Sequence, residues 1–313
     1  MPDQVRHDEL IDFMDKPYLI IDRLVNPLAR AGCFGYILES LRILSRGGHT
    51  MKKSASLTPK QLRILIRKGG WDRPTAGLAM GYAQANLVIL PEKYAFDFLL
   101  FCQRNPKPCP LLEVLEPGHH RTVSLASGAD IRTDVPKYNI YREGKLERTL
   151  REIKSLWADD FVTFLLGCSF SFEEALLRAN IPVRHIEENK NVPMYITNIP
   201  CKPAGVLHGP LVVSMRPLPP DRIVRAIQIT SRYAAVHGSP VHIGDPSKIG
   251  IRNLGRPDFG DPVTIGKEEV PVFWACGVTP QAVVMKARPD LCITHTPGHM
   301  FIGDLLSEEL ATL

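Results

Sequence analysis

The chain lacks any apolar run long enough to cross a bilayer. Its longest nearly unbroken one, residues 161–170, falls well short of the roughly 20 residues a spanning helix needs. Asp3, Asp8, Glu9, Asp12 and Asp15 crowd the first fifteen residues, which suits neither a secretory leader nor an acid-poor mitochondrial transit peptide. A cytoplasmic location is expected, with the mitochondrial matrix less favoured. Cysteine is sparse: seven residues in 313, at 33, 102, 109, 168, 201, 276 and 292, with no Cys-x-x-Cys pair. That pattern excludes a disulfide framework and a zinc ribbon and points to reduced thiols. Gly-x-Gly-x-x-Gly, Gly-Lys-Ser/Thr and Gly-x-Ser-x-Gly are all missing, which removes the dinucleotide fingerprint, the P-loop and the serine-hydrolase elbow.

Concentrated charge of one sign is missing too. The net charge is +5, and no basic run exceeds Lys52-Lys53 or interleaves with aromatics. Neither nucleic acid nor a membrane is an expected partner, whereas a small carboxylate is. His295 and His299 have the spacing of a zinc helix, but Pro297 and Gly298 between them forbid that helix. His119-His120 and His237/His242 offer no ligand frame either. No metal and no other cofactor is expected.

A copy of part of the chain within itself is what stands out. Residues 164–199 and 272–305 align with Cys168 on Cys276, a shift of 276 − 168 = 108 positions. The same shift sets Ser171 on Thr279 and Ala179 on Ala287. A shift of 300 − 194 = 106 then sets Met194-Tyr195-Ile196 on Met300-Phe301-Ile302 and Asn198 on Asp304. Each copy reads apolar strand, cysteine, tight turn, hydroxyl residue, helix, second strand. Two such units related by a pseudo-twofold axis would bring equivalent polar groups toward one place.

The rest of the chain alternates strand and helix. Residues 1–50 read as an extension: six Lys/Arg against seven Asp/Glu, a helical period over 37–44, then Gly47-Gly48 and a second methionine, Met51. From residue 51 onward one domain of two lobes is expected. Thr58-Pro59 signals the cap and first position of a helix over 60–68. Strands are expected at 86–90, 138–141, 211–215 and 241–243, with a Glu143-Gly144 turn between two strands and helices at 94–104 and from Asp221 to about Val236. The fold class that follows is a mixed, two-lobed α/β sandwich.

The chemistry is expected at the two turns. Ser171 and Glu174 make a Ser-x-x-Glu capping box, which places a helix start at Phe172. Thr279-Pro280 caps the second helix. Cys168 and Cys276 each lie three residues before a cap, where free N–H groups and the helix dipole favour an anion. His299 and Asp304, close in sequence, can share acid–base work. Asp304 can equally cap a last helix over 305–310. Arg216, ending a buried strand, can grip a carboxylate through two parallel hydrogen bonds. Tyr82, Gln84 and Asn86 alternate, so they share one strand face. The candidate catalytic set is therefore Cys168, Cys276, Glu174, His299 and Asp304, with Glu173 a further proton carrier. The candidate binding set is Ser171, Thr279, Asn198, Arg216, Tyr82, Gln84 and Asn86.

Blocks in order along the chain carry a family resemblance: residues 73–118 (RPTAGLAMGYAQANLVILPEKY onward), LLGCSFSFEEALL (165–177), NVPMYITNIPCKPAG (191–205), GPLVVSMRP (209–217), HIGDPSKIGIRNLGRPDFGD (242–261), FWACGVTPQAVV (273–284) and THTPGHMFIGDL (294–305). They resemble the hydro-lyase family that includes D-glutamate cyclase. The likeness covers nearly everything after residue 55. It implies a two-part α/β fold and the conversion of D-glutamate to 5-oxo-D-proline and water. It transfers no residue-level mechanism. Arg73, Thr296 and Gly303 depart from the glycine, alanine and threonine more usual there, so Arg73 receives no substrate role and the exact substrate stays open. The rival expectation is a non-catalytic binder of small carboxylates that keeps the same pocket. A homo-oligomer is compatible with either.

Overall fold

The computed structural model describes residues 57–312; the extension 1–50 lies outside the described residues. Helix α1 (Pro59–Arg67) opens as its sequence dictates, with Thr58 and Gln61 exchanging side-chain and backbone hydrogen bonds in a capping box. Among the described residues no helix is long and apolar enough to cross a membrane.

Two antiparallel sheets organise the rest. The larger holds β1 (Tyr82–Pro91), β2 (Leu111–Leu115), β3 (Tyr138–Arg142), β4 (Lys145–Leu150), β5 (Phe161–Gly167), β10 (Cys292–His295) and β11 (Phe301–Leu306). Its order is β2-β5-β1-β10-β3-β4, with β11 also on β1. The smaller holds β6 (Met194–Pro200), β7 (Pro210–Leu218), β8 (His242–Ile243) and β9 (Val270–Ala275) in the order β6-β7-β9-β8. The helices are α2 (Glu92–Arg104), α3 (Phe170–Arg178), the single turn α4 (Arg184–Glu187), α5 (Pro220–Ser231) and α6 (Thr279–Ala287). The mixed α/β class is as expected.

The repeat is present as β5–α3–β6 and β9–α6–β11, with α4 added to the first copy and β10 to the second. Cys168 and Cys276 each follow the last residue of a strand, as expected. The duplication reaches further than the sequence suggested. Ala85 of β1 pairs with Gly167 and Phe301; Val213 of β7 pairs with Ala275 and Tyr195. Those neighbours differ by the same 108 and 106 positions, while the central strands differ by 213 − 85 = 128. The 128 shift carries on into Leu90-Pro91 over Leu218-Pro219, and each proline is the residue just before a helix, α2 or α5.

The two copies also exchange sheets. The first starts on the larger sheet at β5 and ends on the smaller at β6; the second starts at β9 and ends on the larger at β11. In α3, Phe172 and Leu176 share a cluster with Leu218, Ala226 and Trp274. In α6, Val283 and Val284 share one with Val88 and Phe98 and with Val213 and Met215 of β7. Each such large side chain, fully buried, contributes about 1.5–3 kcal/mol relative to exposure.

Several local expectations change. Polar Gln84 and Asn86 hid the first half of β1, because their amides find backbone partners inside the fold. The strand expected at 211–215 runs on through buried Arg216 to Leu218. The helix expected to reach Val236 stops at Ser231, and a 3-10 turn follows at Ala234–Val236. The last expected helix is shorter still. The chain stays in β11 to Leu306 and closes in a 3-10 turn, Ser307–Leu310, so Asp304 is a strand residue and caps nothing.

Candidate functional site

Both helices begin earlier than the capping patterns imply. The first starts at Phe170, not Phe172, and the second at Thr279 itself, with no side-chain cap on either. The hydroxyls have other partners. Ser171 Oγ accepts the Gln84 N–H of β1 at 2.9 Å, and Thr279 Oγ1 accepts the Val212 N–H of β7 at 3.1 Å. Where the chain leaves a strand to start a helix, the neighbouring strand loses its ladder partner. The hydroxyl takes that place, which satisfies a buried donor.

At each turn a backbone N–H at the helix start acts on the thiol, that of Phe170 on Cys168 and that of Val278, the residue before the helix, on Cys276. Burial dominates: it pushes the Cys168 thiol far above the ordinary range and the Cys276 thiol up to about 11, against the pull of those N–H groups and of Arg216. Both thiols are therefore neutral near pH 7. They pack in one cluster with Phe170, Met194, Val212 and Met300. Asn86 joins the two turns. Its Nδ2 donates to Gly167 O at 2.7 Å, and it lies so close to Gly277 that a Cβ there would sit 1.9 Å from Nδ2. Glycine is required at 277 by that approach.

The corresponding place beside Cys168 is ionic. Ser169 stands where Gly277 does and Ser214 where Asn86 does. Between them lies Arg216, fully buried. Its Nη2 donates to Ser169 Oγ at 3.0 Å, its Nη1 to Ser214 Oγ at 3.1 Å, and its Nε and Nη2 to Glu173 Oε1. Phe172 and Trp274 flank the guanidinium, each ring centroid 5.4 Å away. His185 Nε2 stands 3.1 Å from the same Glu173 oxygen. Burial raises the Glu173 pKa, but His185 and Arg216 more than reverse this and leave it below the ordinary carboxylate value. Glu173 Oε2 is buried without a partner among the described residues. Arg216 is thus held by protein groups, not left free to grip a ligand.

A third element is the loop 295–300. Thr75 and Gly298 are joined through both the Thr75 N–H and its hydroxyl, at 2.8 and 3.1 Å from Gly298 O. Thr75 Oγ1 in turn accepts the Met300 N–H. His299 Nδ1 donates to Pro297 O at 3.1 Å, and burial lowers its pKa, so the ring is neutral with Nε2 as its bare nitrogen.

The structure brings together Cys168, Cys276, Ser171, Thr279, Gln84, Asn86 and Arg216, and sets His299 on the adjoining loop. It does not bring in the others. Asp304 is paired with Arg63 through two hydrogen bonds, at 2.9 and 2.8 Å. Glu174 pairs with Arg178 at 2.8 Å. Asn198 is an exposed β6 residue against Gly250. Tyr82 is half-buried at the start of β1, opposite Leu306. Sequence reasoning missed Ser169, Ser214, His185 and Gly277. The repeat held a usable signal for one pair, since Ser169 and Gly277 occupy the same place in the two copies. Among the described residues no group of three His, Cys, Asp or Glu side chains is placed to hold a metal ion. The apolar groove of about 410 Å³ beside α2 and β2 is lined by none of the candidate residues.

Comparison with known proteins matches residues 162–304 to the family model described as D-glutamate cyclase. A protein from Thermoanaerobacter sp. (strain X514), named as a "Putative hydro-lyase", is 63% identical over 256 residues, 82% of this chain and 97% of that one. Proteins of the same description from Stutzerimonas stutzeri (strain A1501) and Bacillus subtilis (strain 168) are 62% and 61% identical over 257 residues. Each match spans 82% of this chain, with 97% and 100% of those chains covered.

Proposed function

Since this chain belongs to the hydro-lyase family that the D-glutamate cyclase model describes, we propose that it dehydrates a small acidic substrate at the paired turns after β5 and β9, cyclising D-glutamate to 5-oxo-D-proline. In that reaction the ammonium nitrogen bonds to the carbon of the γ-carboxyl group and one C–O bond of that carboxyl breaks. Two protons pass from nitrogen to the departing oxygen, which leaves as water. The steps balance without a redox partner or a nucleotide.

The observation that carries this reading is the doubled arrangement of a buried cysteine and a helix start around Asn86. A γ-carboxylate resists attack until its oxygen is protonated or its charge is held. Two nine-residue helices start here, and the positive ends of their dipoles favour that charge. Neutral buried thiols suit proton donation to the leaving oxygen and not nucleophilic attack. His299, with Nε2 bare, is the group on the adjoining loop suited to take a proton from the amine.

The test is product formation by the purified full chain, followed by chiral chromatography. D-Glutamate yields 5-oxo-D-proline and L-glutamate is a much poorer substrate. Cys168→Ala and Cys276→Ala each lower turnover about a hundredfold, in the range for loss of one donor to a developing oxyanion. No product from either enantiomer, with the protein folded, removes D-glutamate and leaves the broader hydro-lyase activity. Binding without turnover favours the non-catalytic carboxylate binder.

A further inference from the structure

Three buried side chains beside the cysteine pair end in acceptor atoms with no donor among the described residues: Gln84 Oε1, Asn191 Oδ1 and His299 Nε2. Their residues are 2%, 7% and 7% exposed, and an unpartnered buried polar atom is costly enough to call for an explanation. Their orientations are fixed by what the other end of each side chain does. Gln84 Nε2 donates to Thr75 O and Leu78 O, so the amide cannot turn its oxygen inward without losing both bonds. Asn191 Nδ2 donates to Pro297 O at 3.1 Å, which leaves Oδ1 against Gly298. His299 Nδ1 donates to that same Pro297 carbonyl, so Nε2 carries the lone pair.

These three acceptors hang on two segments that touch each other, the one containing Thr75 and the one from Pro297 to Met300. The sequence neighbours Ala76, Val192 and Met300 all pack in the cluster that contains Cys168 and Cys276. Gln84 meets the same place through its N–H bond to Ser171.

We propose that Gln84 Oε1, Asn191 Oδ1 and His299 Nε2 form the subsite for a primary ammonium group of the ligand. A primary ammonium offers three N–H donors and no acceptor, which matches three buried acceptors that have no donor of their own among the described residues. A second carboxylate in that place would leave every one of them unsatisfied. The inference deepens the reading above and rests on it for the position of the reacting carboxyl group. It assigns the amine end and adds Asn191, which no motif had singled out.

The experiment separates the subsite from the identity of the substrate. Melting temperature of the full chain is followed with methylammonium chloride and with tetramethylammonium chloride, the same charge without N–H donors. Binding of D-glutamate and of glutarate, its amine-free counterpart, is then measured by calorimetry. His299→Asn keeps a donor for Pro297 O and removes the Nε2 acceptor; Asn191→Leu removes a second acceptor. The wild-type protein is stabilised more by methylammonium than by tetramethylammonium, by about one degree or more at ligand concentrations near half-saturation. It also binds D-glutamate at least tenfold tighter than glutarate. In both variants the two preferences shrink to less than about threefold, or vanish, while glutarate binding is unchanged. Equal shifts by the two cations in the wild-type protein overturn the subsite, and so do preferences that survive in both folded variants. A methylammonium preference that depends on His299, with neither dicarboxylate bound, keeps the subsite and removes D-glutamate as the substrate.

Discussion

Ser171 and Thr279, 108 positions apart, perform the same act on two different sheets. The first hydroxyl accepts the Gln84 N–H of β1, and the second accepts the Val212 N–H of β7. Both were read from the sequence as helix caps, and both instead extend a strand ladder that the turning chain had abandoned. The equivalence survives although one residue is serine and the other threonine, because the backbone donor needs an oxygen at that point and nothing more.

The Glu173–Arg216 pair is expected to act as a structural unit. Arg216→Met leaves a buried carboxylate without its main partner, and removing one member of such a pair typically loses about 3–5 kcal/mol. The double variant Glu173→Met/Arg216→Met recovers most of that stability. Urea denaturation of the three proteins, with the midpoint and slope compared, checks the expectation. A double variant no better than the single one contradicts it.

Gly277→Ala places a methyl group on Asn86 and breaks the Asn86–Gly167 bond that joins the two turns. It lowers stability and turnover together. The other half of the molecule offers the remedy, since a side chain at 169 coexists there with serine at 214. Gly277→Ala combined with Asn86→Ser therefore melts at a higher temperature than Gly277→Ala alone. Melting curves of the four proteins decide it.

Stability falls on the acid side of neutrality. Burial holds His237 and His295 down at about 4 from an ordinary 6.5. Their unfolded forms bind protons first as pH drops. The stability each provides is complete above about 6.5 and is lost between there and about 4, about 3 kcal/mol per group. Glu173, whose pKa is lowered in the fold, adds a loss of the same sign at lower pH, through the carboxylate range. Melting temperature against pH shows a plateau above neutrality and a decline below about pH 6. His237→Asn, which keeps a donor for Lys107 O, has a shallower decline.

A chain beginning at Met51 is expected to fold with a melting temperature within a few degrees of the full protein. The change in charge balance, the second methionine and the capped helix at Pro59 support this, and the relatives match over about 256 residues that make up nearly all of their own length. A larger loss would mean that the period over residues 37–44 contributes to the core.

Much of the architecture was legible because it rests on local chemistry. The Thr58-Pro59 start, the Glu143-Gly144 turn and the cysteine at each strand end follow from propensity and spacing. What stayed hidden depends on partners distant in the chain. Gln84 and Asn86 look like strand breakers until Thr75, Leu78 and Gly167 supply carbonyls. Arg216 reads as a ligand grip until Glu173, Ser169 and Ser214 surround it. Asp304 reads as a cap until Arg63 arrives from a helix 241 positions earlier.

The exchange of sheets between the two copies governs how the chain can reach its native state. β1 is flanked by β11, whose Phe301 lies 301 − 85 = 216 positions from its partner Ala85. No contiguous half of the chain completes the unit of β5, β1 and β11, which spans residues 82–306, whereas β6, β7 and β9 all lie within residues 194–275. Assembly waits on closure of long loops, which slows it and makes it all-or-none. A fragment ending just after β6 would expose the open edges of β1 and β6. It would complete itself by pairing with a second molecule of the same fragment, each lending the strand that the covalent repeat now supplies.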